Sequence, residues 1–371
     1  MITSRTTLEI PTVGWWWLRK SLRLEPSTHL CMTETADLSP EPWAVHLLGL
    51  VNPMIVIAGN LLGGAYTAMG VIFVWGVGPI LDIVMGDSKQ PRPPRESGLP
   101  FETLLWVHGI VHFIVLATFF RFAYLEASVS IWLVAAGLST GLSSAASAIV
   151  TAHELGHKKP KSPGWRLARM LLFSIHYPHF TTEHNHNHHK WVATENDPAS
   201  ATEEEGLWAF WIKTIPGQFS SSVRIHNKKG RTGIRNPSYQ GLVIQVAALG
   251  VLLVLPQGQT MVVGWLIVST IAILTLEYVN YIRHWGLRRE LNERQTEMEA
   301  WNTEARWSRW SLLELTRHSD HHLRASVPFW QLRPHPEAPE LPAGYYACWW
   351  PCLVPPIWKR WVGKRIPRNA V

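Results

Sequence analysis

Three long stretches of the chain carry no Asp, Glu, Lys or Arg: Trp43 to Leu81, Ala127 to Ala152 and Tyr239 to Leu276. A bilayer crossing takes about 20 apolar residues in a helix. The first and third stretches are each long enough for two crossings and the middle one for a single crossing, while a further apolar run covers Thr103 to Phe120. The pattern predicts six membrane-spanning helices. They run from about Trp43 to Gly59, from a Gly-rich reversal at Asn60 to Gly64 as far as Met85, from Thr103 to Phe120, from Ser128 to His153, from Gly241 to Leu255 and from Thr260 to Tyr278. The expected fold is therefore all-α, an integral membrane bundle, with residues 1–42 as an N-terminal tail, 43–358 as the transmembrane domain and 359–371 as a basic C-terminal tail.

Charge agrees with that class. Only 16% of residues are charged, against about 25% in soluble domains. The net charge of +7 does not point to nucleic acid, because the basic residues flank the apolar spans as the positive-inside rule expects. With the N-terminus inside, the outer loops around Gly63, Phe122 and Gln257 hold essentially Arg121 alone. Residues 1–42 show no apolar core with a small-residue cleavage site, and the Trp15 to Trp17 patch near Arg19, Lys20 and Arg23 reads as an interfacial segment or a tail. The three cysteines, Cys31, Cys348 and Cys352, include no CxxC pair, which argues against a disulfide framework.

Histidine changes the picture. Eight of the 18 lie between Thr151 and Trp191, in HELGHK (His153 to Lys158) and EHNHNHH (Glu183 to His189) and just before the latter. Two further sites, NYIRHWG (Asn280 to Gly286) and RHSDHH (Arg317 to His322), also end apolar stretches. Helical residues four apart share a face, so His153 with His157, and His184 with His188, can each present two imidazoles to one ion. His189 stands about 100° further round, and His318, His321 and His322 fall at i, i+3 and i+4, so that each cluster offers nitrogens to one small volume. With His284 the set exceeds one zinc site, which takes four ligands, and two metals fit better. Imidazole suits Zn, Cu, Fe and Ni alike. HELGH alone would fit a zinc protease, but such a site needs one more ligand and this chain supplies about seven.

In this order, HELGHK, HFTTEHNHNHH, NYIRHWG and RHSDHH resemble the histidine boxes of the membrane-bound alkane 1-monooxygenase family, in the fatty-acid desaturase and hydroxylase group. The resemblance extends to VATENDPAS (Val192 to Ser200), IPGQF (Ile215 to Phe219), AWN (Ala300 to Asn302) and LPAGYY (Leu341 to Tyr346), and covers roughly Asn52 to Trp358. The xylene monooxygenase hydroxylases are similar too, since WQLRPHPEAPELP would sit in either group. The resemblance implies a cytoplasmic helical cap holding two Fe ions, with His153, His157, His184, His188, His189, His284, His318, His321 and His322 as ligands. Glu154, Glu183 and Asp320 sit beside ligands, where they could orient imidazoles or approach the iron, or else be neutralised by Lys158 or Arg317. His179 and His186 are expected to lie just outside the ligand set, and Trp75 to stand at a position that can block a substrate tunnel. This chain departs from the family at Arg283, where NYIEHYG is usual, and at Asn187, where glycine is.

Two other features carry less. His108 and His112 form an i, i+4 pair inside the third span. Cys348 and Cys352 share a helical face around Pro351, and a membrane-surface segment explains them better than a metal.

The implied reaction inserts one atom of O2 into a terminal C–H bond of an alkane or alkyl chain and releases the other as water. The alternatives are an aromatic methyl group, a fatty-acyl or natural-product hydroxylation or desaturation, or a non-redox zinc metalloprotein of the membrane. No flavin or dinucleotide motif is present, so electrons must come from a partner: rubredoxin or ferredoxin with an NAD(P)H-dependent reductase, or cytochrome b5. Lys228, Lys229, Arg231, Arg288 and Arg289 would suit an acidic donor by electrostatic steering. An apolar substrate would arrive through membrane lipid. The active site is expected on the cytoplasmic side of a bacterial inner membrane or the endoplasmic reticulum.

Overall fold

The computed structural model describes residues 39–89, 92–95 and 97–367. The segment expected around Trp15 to Trp17, and Cys31, lie outside them. Among the described residues the fold is all-helical, with two isolated β-bridges and no strand.

Five helices are long and apolar enough to cross a membrane: α1 (Trp43–Leu62), α2 (Gly64–Val84), α3 (Leu99–Glu126), α4 (Ile131–Gly156) and, much later in the chain, α9 (Gly258–His284). The chain is thus a multi-pass membrane protein. Between α4 and α9 come α5 (Pro163–Phe173), α6 (residues 180–191), α7 (Leu207–Lys228) and α8 (Pro237–Leu253). The expected fifth span corresponds to α8, which is apolar but only 17 residues long, or about 25 Å at 1.5 Å per residue. After α9 the chain forms α10 (Arg306–Ser311), α11 (His318–Leu323), α12 (Tyr345–Cys352) and α13 (Pro355–Val362), the last running across the boundary expected at residue 358.

Local sequence sets where these helices begin and end. Ser130 caps α4 by accepting from Leu133 N at 3.1 Å, and Ser162 and Asn236 do the same for α5 and α8, each followed by a proline at the first helical position. Ala127 closes α3 in the left-handed region, φ 54°.

Helix α4 is the axis of the bundle. Its most apolar window is 78% buried, against 28–44% for the other four spans. It approaches α9 through Gly137 and Gly141, a small-xxx-small pair of the kind that brings membrane helices together. A Cβ at Gly137 would stand 2.7 Å from Ile267, and one at Gly141 would stand 2.7 Å from the Val268 carbonyl. Interhelical hydrogen bonds support the contact elsewhere, from Ser139 to the Thr67 carbonyl at 2.6 Å and from Asn60 to Thr140 at 3.4 Å.

The later helices are fastened to the bundle by buried polar groups. Asp82, inside α2, accepts from the Tyr346 and Ala347 amides at 2.9 and 3.0 Å, capping α12 from another helix, and from Ser308 in α10. Gly344 makes room for that carboxylate, since a Cβ there would lie 2.3 Å from it. Glu314 joins His46 of α1 to Arg309 at 2.9 Å each, and Arg309 also pairs with Glu41 and Glu304. Together these contacts hold α10 and α11 against α1 and α2.

Candidate metal centre

The histidine boxes sit on α4, α6, α9 and α11. Nine imidazoles converge in two groups, within each of which the ring nitrogens lie inside 4.8 Å of one another: His153, His157, His184, His189 and His321 in one, and His188, His284, His318 and His322 in the other. The groups adjoin, with the rings of His189 and His322 4.6 Å apart.

This division corrects the expectation that each box serves one volume. The first box does so, His153 and His157 standing together, but the second and fourth are shared between the groups. The reason in the second box is its pitch. Residues His184 to His188 form a π-helical turn, closed by the His189 amide on the His184 carbonyl. The extra residue in the turn brings His189, not His188, back over His184. Such turns recur at functional sites. In α11, His321 faces the first group while His318 and His322 face the second.

The nitrogens are set for a metal. Nε2 atoms approach one another at 3.0 Å (His184 and His189), 3.1 Å (His189 and His321), 3.2 Å (His284 and His318) and 2.9 Å (His318 and His322). Metal–imidazole bonds of about 2.0–2.1 Å put neighbouring ligand nitrogens about 3 Å apart. The buried Nε2 atoms of His153, His157 and His188 have no hydrogen-bond partner. Burial holds His157 down at about 4, and burial together with the neighbouring imidazoles holds His184, His189, His321 and His322 well below the usual histidine range. Neutral rings with free lone pairs are what a cation requires, and an all-imidazole set accepts iron among the borderline metals.

Two ligating candidates are oriented through their second nitrogen. His188 Nδ1 lies 2.9 Å from Asp197 Oδ2, and His284 Nδ1 lies 2.8 Å from the Glu299 carbonyl. Asp197 is fixed in turn by Ser200 Oγ at 2.6 Å and the Ala199 amide at 3.0 Å. Burial pushes its carboxyl up, but His188 beside it and the hydrogen bonds from His188 and Ser200 outweigh that and hold it below the usual range. Sequence reading quoted VATENDPAS without singling out Asp197. The signal was there, an acid eight or nine residues past paired histidines, but nothing local says that the chain doubles back.

None of the three carboxylates named from sequence belongs to either nitrogen group. Glu154 accepts from the Phe329 amide at 3.3 Å and borders a small cavity with His153 and His321. Glu183 is buried and accepts from Asn187 at 2.9 Å, and burial beside Asp197 pushes its carboxyl well up. Asp320 is held by Arg324, by the Arg333 amide at 2.8 Å and by His335 at 2.9 Å. Lys158 forms its ion pair with Glu102, and Arg317 with Glu304 and Glu314.

The other histidines singled out from the sequence lie outside both groups. His186 is exposed, and His179 is buried against Tyr177 and Phe219 with ring centroids 4.3 and 5.3 Å away. His108 and His112 are buried and bonded to Ser147 and Ser174 at 2.6 and 2.8 Å. Cys348 and Cys352 are buried, free thiols in neither nitrogen group. Arg283 is buried, its Nη1 3.1 Å from His318 Nδ1. Arg289 spends its guanidinium on the Val192, Glu293 and Lys190 carbonyls.

An apolar cavity reaches the first group. Val74, Trp75, Leu142, Ile149 and Trp349 form its walls and His153 its histidine end. Trp75 stacks on Trp349 with centroids 5.2 Å apart and planes 15° from parallel. Opposite in character, a polar cleft that includes Asp197, Arg224, Arg288 and Glu293 opens beside the second group.

The known proteins similar to this chain agree with the site. The fatty acid desaturase family profile matches residues 129–351. An alkane 1-monooxygenase 2 of Alcanivorax borkumensis is 32% identical over 79% of this chain and 81% of its own length. An alkane 1-monooxygenase of Ectopseudomonas oleovorans is 32% identical over 87% of this chain and 84% of its own length. The xylene/toluene monooxygenase hydroxylase component XylM of Pseudomonas putida is 27% identical over 61% and 62%. With four histidine boxes gathered into two adjoining nitrogen groups at the end of a membrane bundle, this chain belongs to the alkane 1-monooxygenase family, within the fatty acid desaturases.

Proposed function

We propose that the chain is a non-haem di-iron monooxygenase that hydroxylates the terminal carbon of an alkane or alkyl chain, using O2 and electrons from a small redox protein. The observation that carries this reading is the pair of adjoining all-imidazole groups at the end of an apolar cavity. The nine imidazoles would hold two iron ions, the first group one and the second the other. Iron bound there would activate O2, so that one oxygen atom enters the C–H bond and the other, with two electrons from the redox partner and two protons, leaves as water.

The protein's own residues provide the rest. Asp197 and the Glu299 carbonyl accept from the Nδ1 atoms of His188 and His284, fixing which nitrogen is free for metal. Val74, Trp75, Leu142 and Ile149 keep water from the substrate, and the stacked Trp75 and Trp349 would set how far a chain can extend. Six spans are proposed, α8 crossing as the fifth, with the boxes and the polar cleft on the cytoplasmic side. A small acidic redox protein would dock over that cleft, where Asp197 links the surface to His188. Similarity to XylM supports a second reading, oxidation of an aromatic methyl group at the same centre.

Iron measured per purified chain, followed by product analysis after offering octane and xylene with NADH and donor proteins, tests both. About two irons per chain and octan-1-ol support the first reading, and a benzylic alcohol alone supports the second. Zinc in place of iron overturns them together.

A further inference from the structure

Helix α13 lies across the histidine-bearing end of α9. Its Trp358 and Val362 are fully buried, and the Trp358 ring stands 6.0 Å from those of Tyr281 and Trp285, where α9 ends. Because α9 is a membrane-spanning helix, α13 sits at the level where the bundle leaves the bilayer. Ile357, Arg360, Trp361 and Lys364 stand at i, i+3, i+4 and i+7, and so share a face about 100° round from the buried one. Together with Pro351 they wall a surface cavity.

The apolar side of this cavity joins the lipid-facing surface of the bundle. Ile357, Val354 and Trp350 are 53%, 45% and 52% exposed. Trp350 Nε1 donates to the Trp75 carbonyl of α2 at 2.8 Å, and that span turns exposed Ile72, Ile80 and Ile83 outward. The other side is cationic. Arg360 and Lys364 are exposed, and among the described residues neither has a carboxylate partner. Two unpaired cations beside apolar side chains at the bilayer edge match a molecule that carries an anion and a hydrocarbon chain together. An acidic protein would meet the cations and leave the apolar stripe uncovered, whereas a phospholipid covers both.

We propose that Arg360 and Lys364 form a site for an anionic phospholipid, its phosphate between the two cations and an acyl chain along Ile357 and Trp350. The site stands whether or not the proposed reaction does.

The test places the full chain in nanodiscs that mix phosphatidylcholine with phosphatidylglycerol and counts retained lipids by native mass spectrometry. Each cation near a membrane surface favours an anionic lipid about 5-fold. Phosphatidylglycerol should therefore be retained about 25-fold above its share of the bilayer. Arg360→Gln and Lys364→Gln should each cut that preference about 5-fold, and the double variant should abolish it. Both positions are exposed, and an unchanged melting temperature shows that the fold is intact. Lys228→Gln with Lys229→Gln, two exposed cations on another helix end, should keep the preference. Equal retention of the two lipids overturns the proposal, as does a preference that survives the double variant. Displacement of the lipid by soluble glycerol phosphate at equal concentration overturns it too, because a phosphate site without the acyl contact would then explain the binding.

Discussion

His184 and His189 bring their Nε2 atoms to 3.0 Å across a π-helical turn, while His188, their neighbour in sequence, faces a different set of nitrogens. One box thereby feeds two sites. Alanine at His189 and alanine at His188 are each expected to lower iron from about two to about one per chain, because each removes a ligand from a different group. Mössbauer spectra of iron-loaded membranes check this: the two variants should lose different components. Identical spectra from both would refute the division.

Asp197 lies in neither nitrogen group, yet it holds His188 at 2.9 Å and is itself fixed by two donors. Asp197→Asn keeps the shape and removes the charge. Such partners are worth about 10- to 100-fold in metal affinity, so chelator competition should show a loss of that size, confined to one iron. A variant that keeps both irons as tightly would show the bond to be incidental.

Glu314 anchors α10 and α11 to α1. Burial pushes its carboxyl up, but Arg317 and Arg309 prevail and hold it down at about 2. Glu314→Gln takes one of three carboxylates from the fully buried Arg309, which keeps Glu41 and Glu304. The expected cost is therefore below about 3–5 kcal/mol, that of a buried charge left without any partner. Denaturant unfolding in detergent should register it, with a matching loss of metal because His318 follows Arg317 directly.

Acid should destabilise the metal-free protein through its histidines. Unfolded histidine takes a proton near pH 6.5, whereas burial keeps His157 neutral in the folded chain down to about pH 4, and His184, His189, His321 and His322 are held well below the usual value. The folded state binds fewer protons in that window, so stability falls as pH drops below about 6.5, by up to about 1.4 kcal/mol per pH unit for each such ring. The contribution from His157 flattens once pH passes below about 4. Melting temperatures measured from pH 8 to pH 4 should decline on that schedule, and a flat profile down to pH 4 would contradict it.

Much of this was legible along the chain. The uncharged runs that mark α1, α2, α4 and α9 reflect a requirement that acts residue by residue, since every side chain facing lipid must be apolar. His153 and His157 were read as partners because an ordinary α-helix relates them, and they are. His184 and His188 were read the same way and are not, because one wider turn changes which ring returns to the same face.

The sequence by itself determined the class of the molecule, the number of imidazoles and the helices that carry them, because hydropathy and spacing are properties of contiguous residues. Only the tertiary structure decided the five-and-four division, the pairing of His188 with Asp197 and the placing of Arg283 against an apolar cavity without a carboxylate of its own. Those depend on helical pitch and on residues brought together from distant parts of the chain, and a single turn of backbone is enough to reassign them.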